Sequence, residues 1–363
     1  MSFAFIADSH CALRGMRSEI PLEDTLQPLR AAVAHCLLKS LPLVIGGDLY
    51  DTNAPPARLV FQVNKILGQL REKHLPIYLI QGNHDKDPET PWGSLVEGVQ
   101  HIHQQLVDIG GLKVYGLDFA PATHITQQIQ QIPKCDVLVL HQALKQGLGF
   151  EGAWNCDLDW VNPELCADVL LGDLHNAREE LFSTDKKVRG LYPGVQYMTT
   201  VDAPRDPSFI VVTGKTGGHL DYQRVALPCR PFYTVELQKN QDVGDFVEHL
   251  KAQASEVPVR AIVHVKYPAD ARELFAALKT ALEGTVIFIE TPLPAQGGFS
   301  ASRNLVLKVQ KGITLPALVE QRTKDSPNEI FKGLMKGLAG ARTSGEVQEV
   351  IKASRAQALR ATA

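Results

Sequence analysis

Five short apolar segments in the first half of this chain each end on residues that can bind a metal ion. A strand buried on both faces needs apolar residues throughout, so it appears in a sequence as a continuous apolar run. Side chains that follow such strands lie on loops held by a rigid sheet. The pattern therefore predicts a metal site at one edge of a sheet. The segments and their terminal residues are Phe3–Ala7 with Asp8 and His10, Leu43–Ile45 with Asp48 and Asp51, Ile77–Ile80 with Asn83 and His84, Val137–Leu140 with His141, and Val169–Leu171 with Asp173 and His175.

The ligand types at these positions are carboxylate, amide and imidazole, with no thiolate among them. Mn²⁺ and Mg²⁺ accept such ligands, whereas a structural zinc site commonly contains cysteine. Two such ions about 4 Å apart clamp both oxygens of a phosphoryl transfer, and a bridging carboxylate offsets their repulsion. A metal-bound water is then the nucleophile, so the chemistry needs no serine or cysteine. The candidate ligands are Asp8, His10, Asp48, Asn83, His141, Asp173 and His175.

Composition excludes some classes of protein. The chain has 363 residues and a net charge of −3, so binding to nucleic acid would depend on a local patch and on metal ions. The N-terminal apolar stretch is interrupted by Asp8, too early for a signal peptide, and no run approaches the roughly 20 apolar residues that span a bilayer. The 6 cysteines form no CxxC pair, which favours reduced thiols and a cytoplasmic location.

Residues 1–228 alternate strand-like and helix-like segments, which predicts an α/β layered domain. Leu26–Ser40 and Pro56–Lys73 have apolar residues at helical spacing, and Pro28 falls in the expected first turn, where proline is tolerated. Further short strands suggest that a second sheet completes the domain. They are Leu112–Tyr115, Phe209–Val212 and Asp221–Ala226. The predicted fold is a two-sheet sandwich flanked by helices.

Two prolines, Pro228 and Pro231, mark a domain boundary, and a different pattern follows. Residues 229–295 have a β-α-β-α-β pattern, which predicts a small α+β capping domain of ferredoxin-like type. Residues 296–315 are predicted to be a linker and residues 316–363 a helical tail. The tail contains two capped amphipathic segments, which either pack on their own chain or dock on another protein.

Together these elements resemble the signature of the calcineurin-like metallophosphoesterases, in that family's usual order. The matching elements are Asp8-Ser9-His10, Gly47-Asp48-Leu49-Tyr50-Asp51, Gly82-Asn83-His84-Asp85, His141 and Gly172 to His175. Thr52 to Pro56 and Tyr192 to Gly194 look like the corresponding segments of SbcD-type, meiotic-recombination nuclease-like DNA exonuclease subunits of bacteria or phages. The motif resemblance covers residues 1 to about 215, and beyond that it rests on the three-part layout.

The resemblance implies a role for each of these residues. Two divalent ions are expected, Mn²⁺ first and Mg²⁺ as the alternative. The ligands would be Asp8, His10, Asp48 and His175 for one ion, and Asp48, Asn83, His141 and Asp173 for the other, with Asp48 as the bridge. His84 would stabilise the transition-state phosphate or protonate the leaving oxygen. Asp51 would orient His84, as a carboxylate behind a histidine does.

One position departs from the family's pattern. Where that family usually has Gly-His-x-His, this chain has Asp173 at the first histidine. Aspartate can ligate and should favour Mn²⁺ or Mg²⁺ over softer ions, but it could equally weaken the second site. Four basic residues near the motifs either meet DNA phosphates or are solvated surface charges: Arg14, Arg17, Lys86 and Lys145. Three histidines are interpreted as surface or loop residues: His101, His103 and His124. Trp92 and Trp154 are interpreted as packing residues.

The leading hypothesis is a metal-dependent DNA nuclease subunit, an exonuclease or endonuclease, that hydrolyses phosphodiester bonds by in-line attack of a metal-bound water. It would work with an SbcC-type ATPase in DNA repair, recombination or replication, and homodimerisation through residues 56–73 or 90–105 stays open. The first alternative is a stand-alone phosphatase or nucleotide phosphodiesterase, which would need neither the added domain nor the tail. The second is a non-catalytic scaffold whose metal site has decayed at Asp173, against which His84 and Asp51 argue.

Overall fold

Two six-stranded β-sheets face each other in the part of the chain that carries the apolar runs. In each sheet four neighbouring strands are parallel, and the remaining strands pair antiparallel at the margins. The computed structural model describes residues 2–15, 20–85, 98–148, 154–175, 180–197, 207–229, 232–236, 261–268, 275–276, 280 and 286–293.

The strands of the first sheet are, in spatial order, β14 (His219–Ala226), β13 (Ser208–Thr216), β1 (Phe3–Ile6), β4 (Leu43–Gly46), β5 (Ile77–Ile80) and β6 (Val99–His101). Those of the second sheet are β11 (Leu181–Phe182), β12 (Arg189–Leu191), β10 (Asp168–Gly172), β9 (Val137–His141), β8 (Leu112–Leu117) and β7 (Leu106–Ile109). A separate two-stranded ribbon is formed by β2 (Arg14–Gly15) and β3 (Ile20–Pro21).

Alternate residues of the buried strands face two different cores. Phe3 and Phe5 of β1 pack between the two sheets, whereas Ala4 and Ile6 pack on the opposite face with residues of the two long helices. The second sheet follows the same rule, because the even and odd residues of Val137–Leu140 also divide between two cores. Burial on both faces explains why each strand is an uninterrupted apolar run in the sequence.

In the described part of the chain, three α-helices cover the two large sheets: α1 (Leu22–Lys39), α2 (Ala57–Glu72) and α3 (Ala122–Ile129). The two long helices are confirmed, but α1 begins four residues earlier than predicted, so Pro28 lies in its interior rather than its first turn. The buried Thr25 side chain explains the extension, because its hydroxyl lies within hydrogen-bond distance of the carbonyls of Ala12, at 2.7 Å, and Leu22, at 3.0 Å. The apolar stripe alone did not indicate this anchored turn.

The pattern of apolar runs predicted that the five ligand-bearing strands would lie in one sheet. The structure places them in two sheets. β1, β4 and β5 belong to the first sheet, and β9 and β10 to the second. The strands at 208–216 and 219–226 were expected to help form a second sheet, but they extend the first one beside β1. An apolar run indicates burial on both faces, and it carries no information about which sheet the strand joins.

A third sheet contains β15 (Phe232–Glu236), β16 (Ala261–Pro268) and β17 (Val286–Leu293), in that order. Both strand pairs are parallel. The strand positions agree with the predicted capping domain, but the ferredoxin-like topology is corrected, because a ferredoxin-like sheet contains antiparallel neighbours. Parallel neighbours need crossover connections of a dozen or more residues, and the intervening segments are long enough. The linker at 296–315 and the tail at 316–363 lie outside the described residues.

The cysteines agree with the reduced-thiol prediction. All of them are free, and only Cys229 is exposed. Within the described part of the chain, the structure contains no helix that is long and apolar enough to cross a membrane.

Candidate metal centre

The carboxyl ends of the parallel strands bring the predicted ligands together. Asp8 follows β1, Asp48 follows β4, Asn83 follows β5, His141 ends β9, and Asp173 follows β10. Ligands in open α/β sheets commonly lie beyond these strand ends. Here the two sheets meet at the same edge, so each of them supplies part of the site.

Three groups of side chains offer ligand atoms that lie within 4.8 Å of one another. These groups are Asp8, His10 and His175; His10, Asp48 and His84; and Asp8, Asp48 and His141. They share members, so they form one cluster. Five of the predicted ligands therefore converge, together with His84, which was predicted to act on the phosphate rather than to bind a metal ion.

Asp48 occupies the centre of the cluster. One carboxylate oxygen, Oδ1, accepts the backbone N–H of His84 at 2.9 Å. The other, Oδ2, lies 3.3 Å from Nε2 of His141 and 3.6 Å from Nε2 of His10. Burial would raise the pKa of this carboxyl, but the charges of His141 and His10 and the hydrogen bonds lower it to about 2. One anchored and one inward-facing oxygen suit the bridging role that the sequence predicted.

His141 is held so that one ring nitrogen faces the cluster. Its Nδ1 lies 2.7 Å from the Gly46 carbonyl, which fixes Nδ1 as the protonated donor. Its Nε2 lies 3.1 Å from Oδ1 of Asn83, an atom that can only accept. Nε2 must therefore carry either a proton or a cation in this position. Burial lowers the pKa of His141, but Asp48 and Asp8 raise it to about 10, so the proton occupies Nε2 when no cation does.

Glycines allow this close packing around His141. A Cβ at Gly47 would lie 2.3 Å from the ring nitrogen Nδ1, and a Cβ at Gly172 would lie 2.5 Å from the same atom. Gly47 also has a φ of +92°, a conformation that few other residues adopt. The glycines of the motifs therefore make room for a ligand rather than merely permit a turn.

Asp8 shows that the cluster fits a cation. Its Oδ1 accepts the backbone N–H of Asp173 at 2.9 Å and lies 3.6 Å from Nε2 of His175. Its Oδ2 is buried and has no hydrogen-bond partner among the described residues. The Nε2 atoms of His10 and His175 are 3.0 Å apart. An unpaired buried carboxylate oxygen is costly in the absence of a cation, so the donor set fits divalent metal ions.

Backbone strain is concentrated at the same place. Eight non-glycine residues of the described chain have positive φ, and four of them are predicted ligands: Asp8 at 54°, His10 at 40°, Asp48 at 51° and Asp173 at 94°. Such conformations are uncommon for any residue except glycine, although aspartate and histidine adopt them more readily than most, and they persist where the surrounding structure enforces them. Their coincidence with the ligand positions supports a functional site at this edge.

Asp51 contacts two histidines through different groups. Its backbone carbonyl accepts from Nδ1 of His84 at 2.9 Å. Its carboxylate Oδ1 lies 3.2 Å from Nδ1 of His10. The sequence predicted that the Asp51 side chain orients His84. In the structure, the main chain of Asp51 orients His84 and the side chain orients His10, because residues 8–11 and 47–51 run alongside each other with paired backbones.

Asp173 is less closely tied to the cluster than the other predicted ligands. It belongs to none of the three groups of converging atoms, although its backbone N–H bonds Asp8. Burial raises the pKa of its carboxyl, Asp8 and Asp48 raise it further, and His141 and His175 lower it. These influences place the carboxyl beside the site, where its role as a ligand stays a prediction.

The predicted DNA-contacting residues are only partly described. Lys145 donates to Asp157 at 2.7 Å, and its ammonium group lies 5.4 Å from the centre of the Trp154 ring. Arg14 lies on the strand β2 with its side chain undescribed. Arg17 and Lys86 lie outside the described residues. Contact between DNA and any of these residues stays a prediction.

Asp85 is a supporting residue to which sequence reasoning gave no role. This buried carboxylate accepts the backbone N–H groups of Leu49 at 3.0 Å and Tyr50 at 2.9 Å. It therefore fixes the segment after Asp48 against the segment that carries Asn83. Burial and the charge of Asp48 raise its pKa to about 6. Its position directly after Asn83 and His84 was the available signal in the sequence.

Comparison with known proteins agrees with this geometry. Residues 1–164 match the family model of the calcineurin-like phosphoesterases. Over these residues the chain is therefore similar to the calcineurin-like phosphoesterases. Among curated proteins, the chain is similar to the DNA double-strand break repair protein Mre11 of several archaea.

The similarity to these relatives is distant and partial. For Methanosarcina acetivorans it is 24% identity over 241 residues, covering 62% of this chain and 38% of the relative. For Sulfolobus acidocaldarius it is 26% identity over 196 residues, covering 50% of this chain and 51% of the relative. For Aeropyrum pernix it is 25% over 270 residues, covering 66% and 63%. The chain therefore spans less than two thirds of the length of each of these relatives.

Proposed function

We propose that this chain is the nuclease subunit of a DNA-processing complex and hydrolyses phosphodiester bonds with two divalent metal ions. One observation carries the proposal: Oδ2 of Asp48 lies between Nε2 of His141 and Nε2 of His10, with further ligands on both sides. The family match supports phosphoester hydrolysis. The relatives' name as DNA double-strand break repair proteins supports DNA as the substrate.

The ligand sets divide around Asp48. Asp8, His10 and His175 would hold one ion, and Asn83 and His141 the other, with Asp173 as the proposed additional ligand. When bound, the two ions would activate a water for in-line attack and neutralise charge on the phosphate. Imidazole suits transition metals better than Mg²⁺, so we assign Mn²⁺ as the preferred metal and Mg²⁺ as the weaker one.

His84 is the proposed catalytic side chain that is not a ligand. Its Nδ1 donates to the Asp51 carbonyl, which leaves Nε2 as the atom available to a substrate. His84 is half-buried, so the ring is accessible from solvent. In this position a protonated Nε2 would stabilise the phosphate in the transition state or protonate the leaving oxygen, effects that contribute about 10²- to 10⁴-fold to a rate.

The proposed partners are DNA and an SbcC-type ATPase. The net charge of −3 gives no general attraction to DNA, so engagement of DNA by a partner subunit would supply what the surface lacks. Homodimerisation through residues 56–73 or 90–105 is a further proposal, and Phe61 on α2 is 65% exposed in the single chain. The proposed role is in DNA repair, recombination or replication, in the cytoplasm.

The decisive experiment measures cleavage of linear double-stranded DNA, single-stranded DNA, a phosphate monoester and bis(4-nitrophenyl) phosphate, with Mn²⁺, Mg²⁺ or excess chelator. We expect cleavage of DNA and of the diester with Mn²⁺ above Mg²⁺, and none in chelator. His84→Ala should abolish cleavage but retain metal, whereas Asp48→Ala should lose both ions. Full cleavage in chelator would overturn the metal mechanism, and turnover of the monoester or of nucleotides alone would favour the phosphatase or nucleotide phosphodiesterase alternative.

A further inference from the structure

A hydrogen-bonded group outside the metal cluster joins the two sheets just behind it. Asp118 follows β8 of the second sheet and is 7% exposed. Its Oδ1 accepts the backbone N–H of Gln81 at 2.8 Å, and the next residue, Phe119, donates its backbone N–H to the Gln81 carbonyl at 2.8 Å. Gln81 is the first residue after β5 of the first sheet. Both main-chain groups of Gln81 are thus bonded across the sheet interface.

Two histidines that the sequence suggested were surface or loop residues hold Asp118, one through its carboxylate and the other through its backbone N–H. Nε2 of His101 lies 2.8 Å and 2.9 Å from the two oxygens of Asp118. The backbone N–H of Asp118 donates to Nδ1 of His103 at 3.0 Å. The two imidazole rings stack with their centres 6.0 Å apart. Because its carboxylate bonds both the His101 imidazole and the backbone N–H of Gln81, and its own N–H bonds His103, Asp118 is a rigid anchor.

Residues next to or bonded to the anchor lead to both halves of one ligand set. Gln81 leads within two residues to Asn83, which the first sheet contributes. The ring of Phe119 lies edge-on to the ring of His141, with centres 6.5 Å apart, and the second sheet contributes His141. Oδ1 of Asn83 and Nε2 of His141 are 3.1 Å apart, so a small shift between the sheets would change this ligand geometry directly.

We infer that Asp118, held by His101, is a positioning residue for the ion bound by Asn83 and His141. This inference rests on the proposed two-ion function. Carboxylates and histidines behind the ligands commonly change metal affinity about 10- to 100-fold when they are replaced. The other ion's ligands on the first sheet, Asp8 and His10, are held differently, by the backbone pairing of residues 8–11 with 47–51.

The test is a calorimetric titration of Mn²⁺ into the full chain and its variants, with Mn²⁺ electron paramagnetic resonance to detect the coupled ion pair. Asp118→Ala should weaken binding of the ion held by Asn83 and His141, here called the second ion, about 10- to 100-fold. Affinity for the first ion, held by Asp8 and His10, should be unchanged. Asp118→Asn should recover much of this affinity, because its amide oxygen can still accept from Gln81. His101→Gln, at a part-exposed position, should cause a smaller loss of affinity for the same ion. This variant provides the test if Asp118→Ala does not fold.

Asp136→Ala is the matched control. This carboxylate also joins the two sheets, since it accepts from the backbone of Lys113 at 2.9 Å and from Nζ of Lys215 at 3.0 Å, but it precedes β9 at the opposite end of the strand. Second-ion affinity equal to that of the unsubstituted chain in a folded Asp118→Ala variant would overturn the inference, as would an equal loss in Asp136→Ala. A single ion in the unsubstituted chain would overturn the two-ion account itself, which is a separate outcome.

Discussion

Asp51 serves two histidines with two chemically different groups, and a side-chain substitution can separate them. Only the carboxylate contact to His10 depends on the side chain, because His84 bonds the backbone carbonyl. Asp51→Ala should therefore weaken the ion held by His10 about 10- to 100-fold, with a smaller effect for Asp51→Asn, whose amide oxygen still accepts. Metal titration measures this. A lower turnover number with unchanged metal affinity would assign the carboxylate to His84 instead.

The proton on His141 couples metal binding to pH. Without a cation its pKa is raised to about 10, so Nε2 is protonated at pH 7 and must lose that proton to become a ligand. The carboxyl of Asp48, with its pKa near 2, is already ionised and releases none. Affinity for the ion should therefore rise with pH below about 10, and binding at pH 7 should release a proton. Calorimetry in two buffers of different ionisation enthalpy measures this release, and its absence would contradict the assignment of His141.

At the scale of the element, the ends of the strands set the ligand positions, and glycine makes those ends possible. Gly172→Ala would place a methyl group 2.5 Å from Nδ1 of His141 and 2.6 Å from the Gly46 carbonyl, the two partners of one hydrogen bond. We expect a loss of about 1–3 kcal/mol in unfolding free energy together with weaker binding of the ion at His141.

Gly214→Ala is the control for this substitution. Gly214 also lies within a strand, but an added Cβ there would lie 3.4 Å from its nearest neighbour, Oδ2 of Asp221. It should leave metal affinity unchanged. Denaturant unfolding and metal titration compare the two variants, and equal effects would show that glycine matters here only for strand formation.

The elements also show what a sequence can and cannot indicate. Strand ends such as Asp8 and His141 could be predicted because an apolar run followed by a polar ligand is a local pattern. The placement of β1 and β9 in two different sheets could not be predicted, because strand pairing is a non-local property. The Asp51 contact to His10 depends on two loops running side by side, and the hydrogen bond between His101 and Asp118 depends on strands from both sheets. No spacing in the chain encodes either of these contacts.

At the scale of the whole molecule, the described cores of the two large sheets lie within residues 3–227, and every predicted ligand precedes residue 176. Among the described residues, the sandwich therefore packs its interior without residues of the third sheet. This separation is what a catalytic domain with added docking elements requires. The assignment of residues 229–295 and 316–363 as a cap and a docking tail stays a proposal.

Removal of the tail tests that division of the chain. Truncation before residue 316 should leave metal-dependent cleavage of bis(4-nitrophenyl) phosphate in place, because the ligands and their supporting cores lie upstream. It should abolish recovery of a co-expressed SbcC-type ATPase, because an amphipathic helix binds by laying its apolar face into a groove. The first amphipathic segment of the tail has a predicted apolar stripe of Ile330, Phe331, Leu334, Met335 and Leu338. In the full chain, Leu334→Asp on this stripe should reproduce the loss, whereas Lys332→Glu outside it should not. Equal recovery of the ATPase by all the variants would reject the docking role, and loss of diester cleavage in a folded truncation would show that the tail supports the catalytic domain.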